Sequence, residues 1–434
     1  MNPKAVPDNK IERLLKKGVK IPSPLTVDVG DEVQVDQVSG NGVNIYPGCR
    51  IHGEKTVISA NVQLGYEGPA TVDSCQLGPG VELKGGYFVR SVFLEKASIG
   101  LGGHVREACL LEEQANGAHC VGLKQTVLFP FVTLGSLINF CDCLMAGGTS
   151  RKDHSEVGSS YIHFNFTPEG DKTTASLIGD VPHGVMLNKP PIFLGGQGGL
   201  VGPLRIGYGN VVAAGSILRE NMDREGQLIV SQSPTAKVVD LIPGAYPRLS
   251  RIVENNIIYL ANVVALEEWY VHARKMFFER QEFGPLIFSA ILENLRTAKD
   301  ERIKRLKDMS AKMPVSSDVG KGGPPIEKAK REFREKAEWL EELFTRGTHK
   351  TTGEKNRDQF LGALMRHREE KSDHYVEAIQ SLPPSVSMIG TRWLEAIVHL
   401  LCGQAGRALP AMNMFRKLGG AGDPKERGRC RSRS

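Results

Sequence analysis

Aliphatic residues recur every six positions over the first half of this chain. The spacing links Ile45, Ile51 and Val57, then Ile99, Val105 and Leu111, and then Leu128, Leu134 and Phe140. A glycine often follows the aliphatic position. A period of six suits a triangular coil, because each short strand directs one side chain inward and each corner needs a tight turn. An amphipathic helix would instead repeat about every 3.6 residues.

The hexads predict an all-β fold, a left-handed parallel β-helix of the hexapeptide-repeat type, followed by an α-helical C-terminal region. Three hexads make one coil, so a repeat region of roughly 200 residues gives about eleven coils that bury their core by stacking. The phase of the repeat slips at 62–76 and at 112–126. We expect loops to project from the corners at these two places, where such loops commonly carry function.

The pattern changes completely after residue 236. No glycine lies between Arg248 and Phe283, and this stretch is rich in Leu, Ile, Ala and Glu, so it predicts long helices. The predicted segments are an N-terminal helix and cap at 1–26, the β-helix at 27–235, a helical region at 236–313, a linker rich in Pro, Gly and Ser at 314–325, a second helical region at 326–423 and a basic disordered tail at 424–434.

Composition excludes several classes of function. The net charge of +6 comes partly from the tail, and no basic patch with interleaved aromatics is present, so we expect no nucleic-acid partner. The most apolar stretch, 257–266, is about half as long as a bilayer requires, and the N-terminus has no signal-peptide core. The sequence therefore predicts a cytoplasmic protein with no membrane partner. Its eight cysteines form no CxxC pair, and no HExxH occurs, so we expect reduced thiols and no metal site.

The segment from Val132 to Glu220 is the most informative part of the chain. It contains HFNFTPEGDKTTASLIGD, then GGQGG, then VVAAGS. This segment resembles the acetyltransferase domain of bacterial bifunctional UDP-N-acetylglucosamine pyrophosphorylase/glucosamine-1-phosphate acetyltransferases. That family carries an asparagine-tyrosine-aspartate-glycine turn, a lysine, an isoleucine-glycine pair and an alanine-alanine-glycine element in the same order.

The resemblance implies residues that contact the substrate and the acyl donor. Asn165 and Phe166 fall on the asparagine-tyrosine pair, although Phe166 lacks the phenolic hydroxyl, and Lys172 falls one residue beyond the lysine. The resemblance also implies three residues that bind acetyl-coenzyme A through their backbone. These are Gly196, Ala213 and Ala214. Gly196 replaces a serine of the family, and 183–191 resembles an insertion.

The catalytic histidine of the family has no clean counterpart here. His154 is the nearest candidate and His163 the second. An amine that attacks a thioester must lose a proton near neutral pH, for which a histidine with a pKa near 6.5 is suited. Asn165 would stabilise the oxyanion, and Lys172 with Arg151 would hold a phosphate or carboxylate. The alternatives are a solvated loop histidine at 154, an inward asparagine ladder or a turn cap at 165, and a surface lysine at 172.

The resemblance implies transfer of an acetyl group from acetyl-coenzyme A to an amino sugar or sugar phosphate. It also implies a homotrimer, because active sites in that family lie between subunits. No nucleotidyltransferase domain is expected, since 1–44 is too short for one and lacks its glycine-rich loop. Two alternatives stay open: a catalytically silent trimeric β-helix scaffold, and a sugar-nucleotide-binding protein.

Overall fold

The computed structural model describes residues 9–231, 236–240, 242–313, 323–347 and 349–415. The predicted tail at 424–434, most of the predicted linker at 314–325 and Cys430 lie outside these residues. The seven cysteines within them are free thiols.

Residues 28–229 form the predicted parallel β-helix, which confirms the fold class. Each coil contributes one short strand to sheet 1, the next to sheet 2 and the next to sheet 3. Ser98 of sheet 3 pairs in parallel with Asn116, a step of 18 residues, so one coil consumes three hexads. We name the corners by the sheets they join: corner 1/2, corner 2/3 and corner 3/1.

The strands are short throughout. Sheet 1 contains Asp28–Val29, Arg50–His52, Ala70–Asp73, Gly86–Val89, Gly103–Val105, Gly122–Lys124, Asn139–Cys141, Ile162–Phe164, Gly199–Val201 and Ile217–Leu218. Sheet 2 contains Val57–Ile58, Gln76–Leu77, Ser91–Phe93, Cys109–Leu111, Val127–Leu128, Cys143–Met145, Ser176–Ile178 and Arg205–Ile206. Sheet 3 contains Asn44–Ile45, Gln63–Leu64, Glu82–Leu83, Ser98–Ile99, Asn116–Gly117, Thr133–Leu134, Glu156–Val157, Phe193–Leu194, Val211–Val212 and Leu228–Ile229.

The hexad positions fill the interior of the prism. Ile45, Ile99 and Leu134 are fully buried, and the strand residue before each is at least partly exposed. Burying one such side chain stabilises the fold by roughly 1.5–3 kcal/mol relative to leaving it in water. The repeat therefore encodes a continuous apolar column along the axis of the prism.

The predicted projecting loops at 62–76 and 112–126 are wrong. Short corners, 65–69 and 118–121, connect the strands there, because a slip of one or two residues fits within a corner without a loop. The long excursions occur elsewhere. They are 146–155 and 179–192, both at corner 2/3, and 165–175 at corner 1/2.

The remaining described elements are mainly helices. They are α1 (Asn9–Lys17), α2 (Val181–Gly184), α3 (Leu249–Trp269), α4 (Lys275–Phe278), α5 (Gly284–Ala311), α6 (Gly323–Glu335), α7 (Ala337–Thr345), α8 (Glu354–Glu370), α9 (Tyr375–Gln380) and α10 (Pro384–Ala408). A π turn, Tyr270–Arg274, joins α3 to α4. No described helix is long and apolar enough to cross a bilayer.

The C-terminal helices cover sheet 2. Helix α5 contacts the strands Gln76–Leu77, Ser91–Phe93 and Cys109–Leu111, and α3 contacts Ser176–Ile178. Apart from Arg205, every residue in the strands of sheet 2 is buried, whereas sheets 1 and 3 keep exposed outer residues. Because one face of the prism is covered within the chain, the faces of sheets 1 and 3 are the ones that remain accessible.

Candidate functional site

The predicted site residues lie at three different corners of the prism. His154 and Arg151 belong to the excursion at corner 2/3, and Asn165, Phe166 and Lys172 to that at corner 1/2. The glycine and alanines expected near the acyl donor lie at corner 3/1, in the segments 195–198 and 213–216. A single chain therefore does not bring the three groups together.

His154 is held in a tautomer that suits a base. It ends a two-stranded hairpin, Gly148–Ser150 with Asp153–His154, and its side chain is 19% exposed. Its Nδ1 lies 2.9 Å from the Arg151 carbonyl oxygen. A carbonyl oxygen only accepts hydrogen bonds, so Nδ1 carries the proton of the neutral ring and Nε2 keeps its lone pair. That atom lies 3.7 Å from a carboxylate oxygen of Glu156.

Arg151 is engaged with the backbone of earlier coils. Its Nη1 donates to the carbonyl oxygens of Gln114 at 3.1 Å and Phe131 at 3.0 Å, and to Thr133 Oγ1 at 2.8 Å. These hydrogen bonds fold the hairpin back along corner 2/3. The contacts give Arg151 a structural part in positioning His154, alongside its predicted part in binding an anion.

The excursion 165–175 is tied to the C-terminal helices. Arg302 of α5 donates to the Lys172 carbonyl oxygen at 2.7 Å, and Asn256 of α3 donates to the Thr173 carbonyl oxygen at 3.0 Å. Tyr246 donates to a carboxylate oxygen of the buried Asp171 at 3.0 Å. The helical region therefore fixes the loop that carries the predicted asparagine-phenylalanine pair.

Within this loop the predicted residues face solvent. Asn165 is exposed and accepts a 2.6 Å hydrogen bond from Thr174 Oγ1 at its amide oxygen. The amide nitrogen has no partner among the described residues and is available as a donor. Phe166 is 71% exposed. Lys172 is exposed, at a backbone φ of 56°.

Phe166 borders a pocket of about 420 Å³ between this loop and the start of α3. We call it the arginine pocket, and its walls include Phe166, Val201, Arg219, Arg248, Arg251 and Ile252. The lining thus combines three arginines with apolar residues. Local sequence spacing does not connect these arginines with Phe166, because they are more than fifty residues from it in the chain.

Packing explains the glycines at corner 3/1. A Cβ atom on Gly196 would lie 2.7 Å from the Ser159 carbonyl oxygen, and one on Gly195 would lie 2.4 Å from the Ala214 backbone nitrogen. Successive coils touch here through their backbones. Gly196 therefore cannot be replaced by the serine of the resembled family without a backbone shift, while Ala213 and Ala214 remain at the surface.

His163 lies inside the prism. Its side chain is buried, and its Nε2 lies 2.9 Å from Ser176 Oγ. Burial lowers the pKa of His163 to about 4 despite the opposing charge of Asp142. A substrate on the surface has no direct access to this ring, so the geometry favours His154 as the base.

A second polar cavity was not anticipated from the sequence. It has a volume of about 310 Å³ and is lined in part by Asp180, His183, Arg205, Tyr208 and Glu395. His183 Nδ1 lies 2.9 Å from Asp180 Oδ1, and its Nε2 lies 3.6 Å from Glu395. Burial lowers the pKa of His183, but the hydrogen bond to Asp180 and its charge outweigh burial and raise the pKa overall.

Only some of the residues that line this cavity are close to one another in the sequence. Asp180 precedes a proline-containing helical turn and accepts a hydrogen bond from the His183 backbone N–H, as an N-cap does. Glu395 comes from α10, over two hundred residues later. Within the described ranges, no group of three or more His, Cys, Asp or Glu side chains is placed to hold a metal ion.

Comparison with known proteins finds several relatives that carry the same name. The chain is 26% identical over 214 residues to the Bifunctional protein GlmU of Thermotoga maritima, which is 49% of this chain and 42% of that protein. It is 25% identical over 240 residues to the protein of the same name from Carboxydothermus hydrogenoformans, covering 55% and 48%. No protein-family model matches the chain.

This similarity and the parallel β-helix decide the assignment. The chain contains a hexapeptide-repeat, acetyltransferase-like domain. It spans less than half the length of these GlmU relatives. The acetyltransferase-like domain accounts for the solenoid, whereas the arginine pocket is formed jointly by the solenoid and the appended helices.

Proposed function

We propose that the protein transfers an acetyl group from acetyl-coenzyme A to an amino sugar or sugar phosphate of UDP-N-acetylglucosamine-type metabolism. The exposed Asn165–Phe166 pair beside a pocket, on a solenoid similar to GlmU proteins, is the observation that supports this function. His154 is the base, Asn165 donates to the oxyanion, and Lys172 attracts the phosphate of the acceptor. Gly196, Ala213 and Ala214 present backbone to the donor.

The active unit in this proposal is a homotrimer. His154, Asn165 and Ala213 lie on separate corners of one prism, so corners of neighbouring protomers must meet to form a site. The outer faces of sheets 1 and 3 are available for such contacts because helices cover sheet 2. A monomer would not assemble the proposed catalytic group.

A transfer assay tests the proposal. Radiolabelled acetyl-coenzyme A is incubated with glucosamine 1-phosphate, glucosamine or UDP-glucosamine, and the acetylated sugar is measured. We expect a product with at least one acceptor, and a loss of about 100-fold or more in kcat for His154→Ala, since that is the size of a general-base contribution. His367→Ala, which changes a partly exposed histidine of α8, is the matched control and should keep full activity.

A catalytically silent scaffold is the second candidate. It is favoured by the phenylalanine at 166, which lacks a phenolic hydroxyl, and by Gly196, whose packing excludes a side-chain oxygen. A trimer by light scattering with no acetylated product from any acceptor would support the scaffold. Product formation that His154→Ala leaves unchanged would remove the role assigned to that histidine.

A further inference from the structure

The arginine pocket lies between the solenoid and the appended helical region. Phe166 and Val201 come from the solenoid, and Arg248, Arg251 and Ile252 come from the start of α3. The appended helical region thus supplies two of the three arginines of the pocket, and both regions contribute to its apolar lining.

The three arginines carry more N–H donors than the surrounding residues offer acceptors. Arg248 and Arg251 share one carboxylate, that of Glu220. Arg251 Nη1 lies 3.1 Å from it and also donates to the Arg219 carbonyl oxygen. The Nε of Arg251 is buried and has no hydrogen-bond partner among the described residues. Arg219 is exposed and donates one hydrogen bond of 3.3 Å, to the Ile217 carbonyl oxygen. Guanidinium groups in this state favour a ligand with several acceptor oxygens.

The acidic residues of the pocket do not satisfy these donors. Asp171 accepts from the Thr173 backbone N–H at 3.1 Å and from the Tyr246 hydroxyl at 3.0 Å. Glu169 accepts from the Gly244 backbone N–H at 2.8 Å. Both carboxylates therefore already accept hydrogen bonds from neighbouring protein groups.

Helix α3 adds to the positive potential. It begins at Leu249 with Arg248 at the N-cap position, has no side-chain cap and carries no acidic residue in its first turn. The N-terminal end of a helix carries partial positive charge and favours anions. This end of the helix and the three arginines line the same cavity of about 420 Å³.

We infer that the arginine pocket binds the phosphate group of a small phosphorylated molecule, whose apolar or ring portion packs against Phe166. The arginines hold the phosphate oxygens, and the face of Phe166 covers the adjoining ring. This inference does not depend on acyl transfer. The shared chemistry is a phosphate ester or diphosphate, and the source is a sugar phosphate, a nucleoside diphosphate or coenzyme A.

Titration calorimetry on the full chain tests the inference. The probes are glucosamine 1-phosphate, UDP and coenzyme A, each compared with its phosphate-free counterpart: glucosamine, uridine or pantetheine. At least one phosphorylated probe should bind and its counterpart should not. Affinity should fall as ionic strength rises, because salt screens the arginines. The probe that binds most tightly identifies the source of the phosphate.

Variants locate the binding. Arg219→Ala combined with Arg248→Ala removes two exposed arginines and should weaken binding by about tenfold to hundredfold, the usual effect of losing hydrogen bonds to a charged group. Arg280→Ala is the control, since Arg280 is also exposed and paired with one acid, Asp373. Phe166→Ala should weaken binding of ring-bearing probes more than that of inorganic phosphate.

Three results would overturn the inference: no binding of any phosphorylated probe, equal binding of the phosphate-free counterparts, or equal weakening by Arg280→Ala. The assays also separate it from acyl transfer. Binding that depends on Arg219 and Arg248 without acetylated product refutes only the proposed activity. Acetyl transfer with phosphate binding unaffected by those arginines refutes only the pocket.

Discussion

Glu112 is a fully buried carboxyl group where the solenoid meets the helices. Burial raises the pKa of Glu112 to about 7; Arg274 opposes that rise, and Glu113 adds to it. Tyr270 donates a hydrogen bond to Glu112. An unfolded glutamate ionises near pH 4.3, so folding favours the protonated form. The stability from this group is fully present below the unfolded pKa and is lost as the pH rises through about 7.

We therefore predict that Glu112→Gln makes the free energy of unfolding less dependent on pH between about 4.5 and 8. The quantity to compare is the free energy of unfolding of the variant minus that of the unchanged chain. This difference should be roughly 1–3 kcal/mol more favourable to the variant at pH 8 than at pH 4.5, because each pKa unit is worth about 1.4 kcal/mol. Urea titrations at several pH values measure this. Glu54→Gln, an exposed control, should leave the pH profile unchanged, and an identical profile for Glu112→Gln would contradict the prediction.

Gly195 tests the backbone stacking at corner 3/1. Gly195→Ala would place Cβ 2.4 Å from the Ala214 backbone nitrogen, and backbone cannot move aside as a flexible side chain does. We expect a loss of about 1–3 kcal/mol of unfolding free energy, the usual cost of overpacking. Gly362→Ala in α8 is the control, since its Cβ meets nothing closer than 3.8 Å and alanine favours helix. Equal stability of the two variants would argue against tight stacking.

At the scale of elements, the buried ion pair of Arg302 joins α5 to the solenoid. Arg302 Nη2 lies 2.6 Å from Asp142 Oδ1, and the two side chains are 2% and 9% exposed. Arg302→Met leaves Asp142 as an unpaired buried charge and should cost about 3–5 kcal/mol. Arg305→Met, which removes a more exposed pair on the same helix, should cost less than about 1 kcal/mol.

A double-mutant cycle separates the pair from its surroundings. Asp142→Asn in the Arg302→Met background removes the unpaired charge and should restore part of the stability, read from urea midpoints. Additive losses would mean that the two side chains do not interact. Because Arg302 also holds the Lys172 carbonyl oxygen, Arg302→Met should speed hydrogen exchange in 165–175 as well.

The elements differ in how far the sequence could predict them. The hexads predicted the solenoid because each inward position obeys one local rule, as Ile99 and Leu134 do. The phase slips were misread because a corner absorbs a difference of one or two residues without forming a projecting loop. The strand Cys143–Met145 carried an unused signal: it is apolar on both faces, as a strand covered on both sides is, and this marks the sheet under the helices.

The residues of the candidate site also differ in how far the sequence could predict them. Asn165 and Phe166 could be located from a local pattern, and the structure puts both at an exposed corner loop. Arg248 and Arg251 could not be assigned to the same pocket, because their approach to Phe166 depends on how α3 docks on sheet 2. Docking is set by long-range packing, which no local spacing records.

At the scale of the whole molecule, the described core is continuous. One cluster of buried apolar residues extends from Ile11 in α1 through the solenoid to Met414 beyond α10. The buried pairs Arg274–Glu113 and Arg302–Asp142 cross the boundary between prism and helices. Removing the helices would expose the apolar outer face of sheet 2 to solvent. The solenoid and the helices therefore depend on each other to bury their apolar surfaces.

This continuity predicts a single cooperative unfolding transition. The three tryptophans, Trp269, Trp339 and Trp393, all lie in the helical region, so their fluorescence reports on the helices alone. The amide I infrared band of β-sheet reports on the solenoid. The two signals should change at the same denaturant concentration, as for any two-state protein. Arg302→Met should lower both midpoints equally, whereas Arg305→Met should move neither appreciably. Loss of tryptophan signal at a denaturant concentration that leaves the sheet band intact would show that the helices detach first, and the solenoid would then be stable without them.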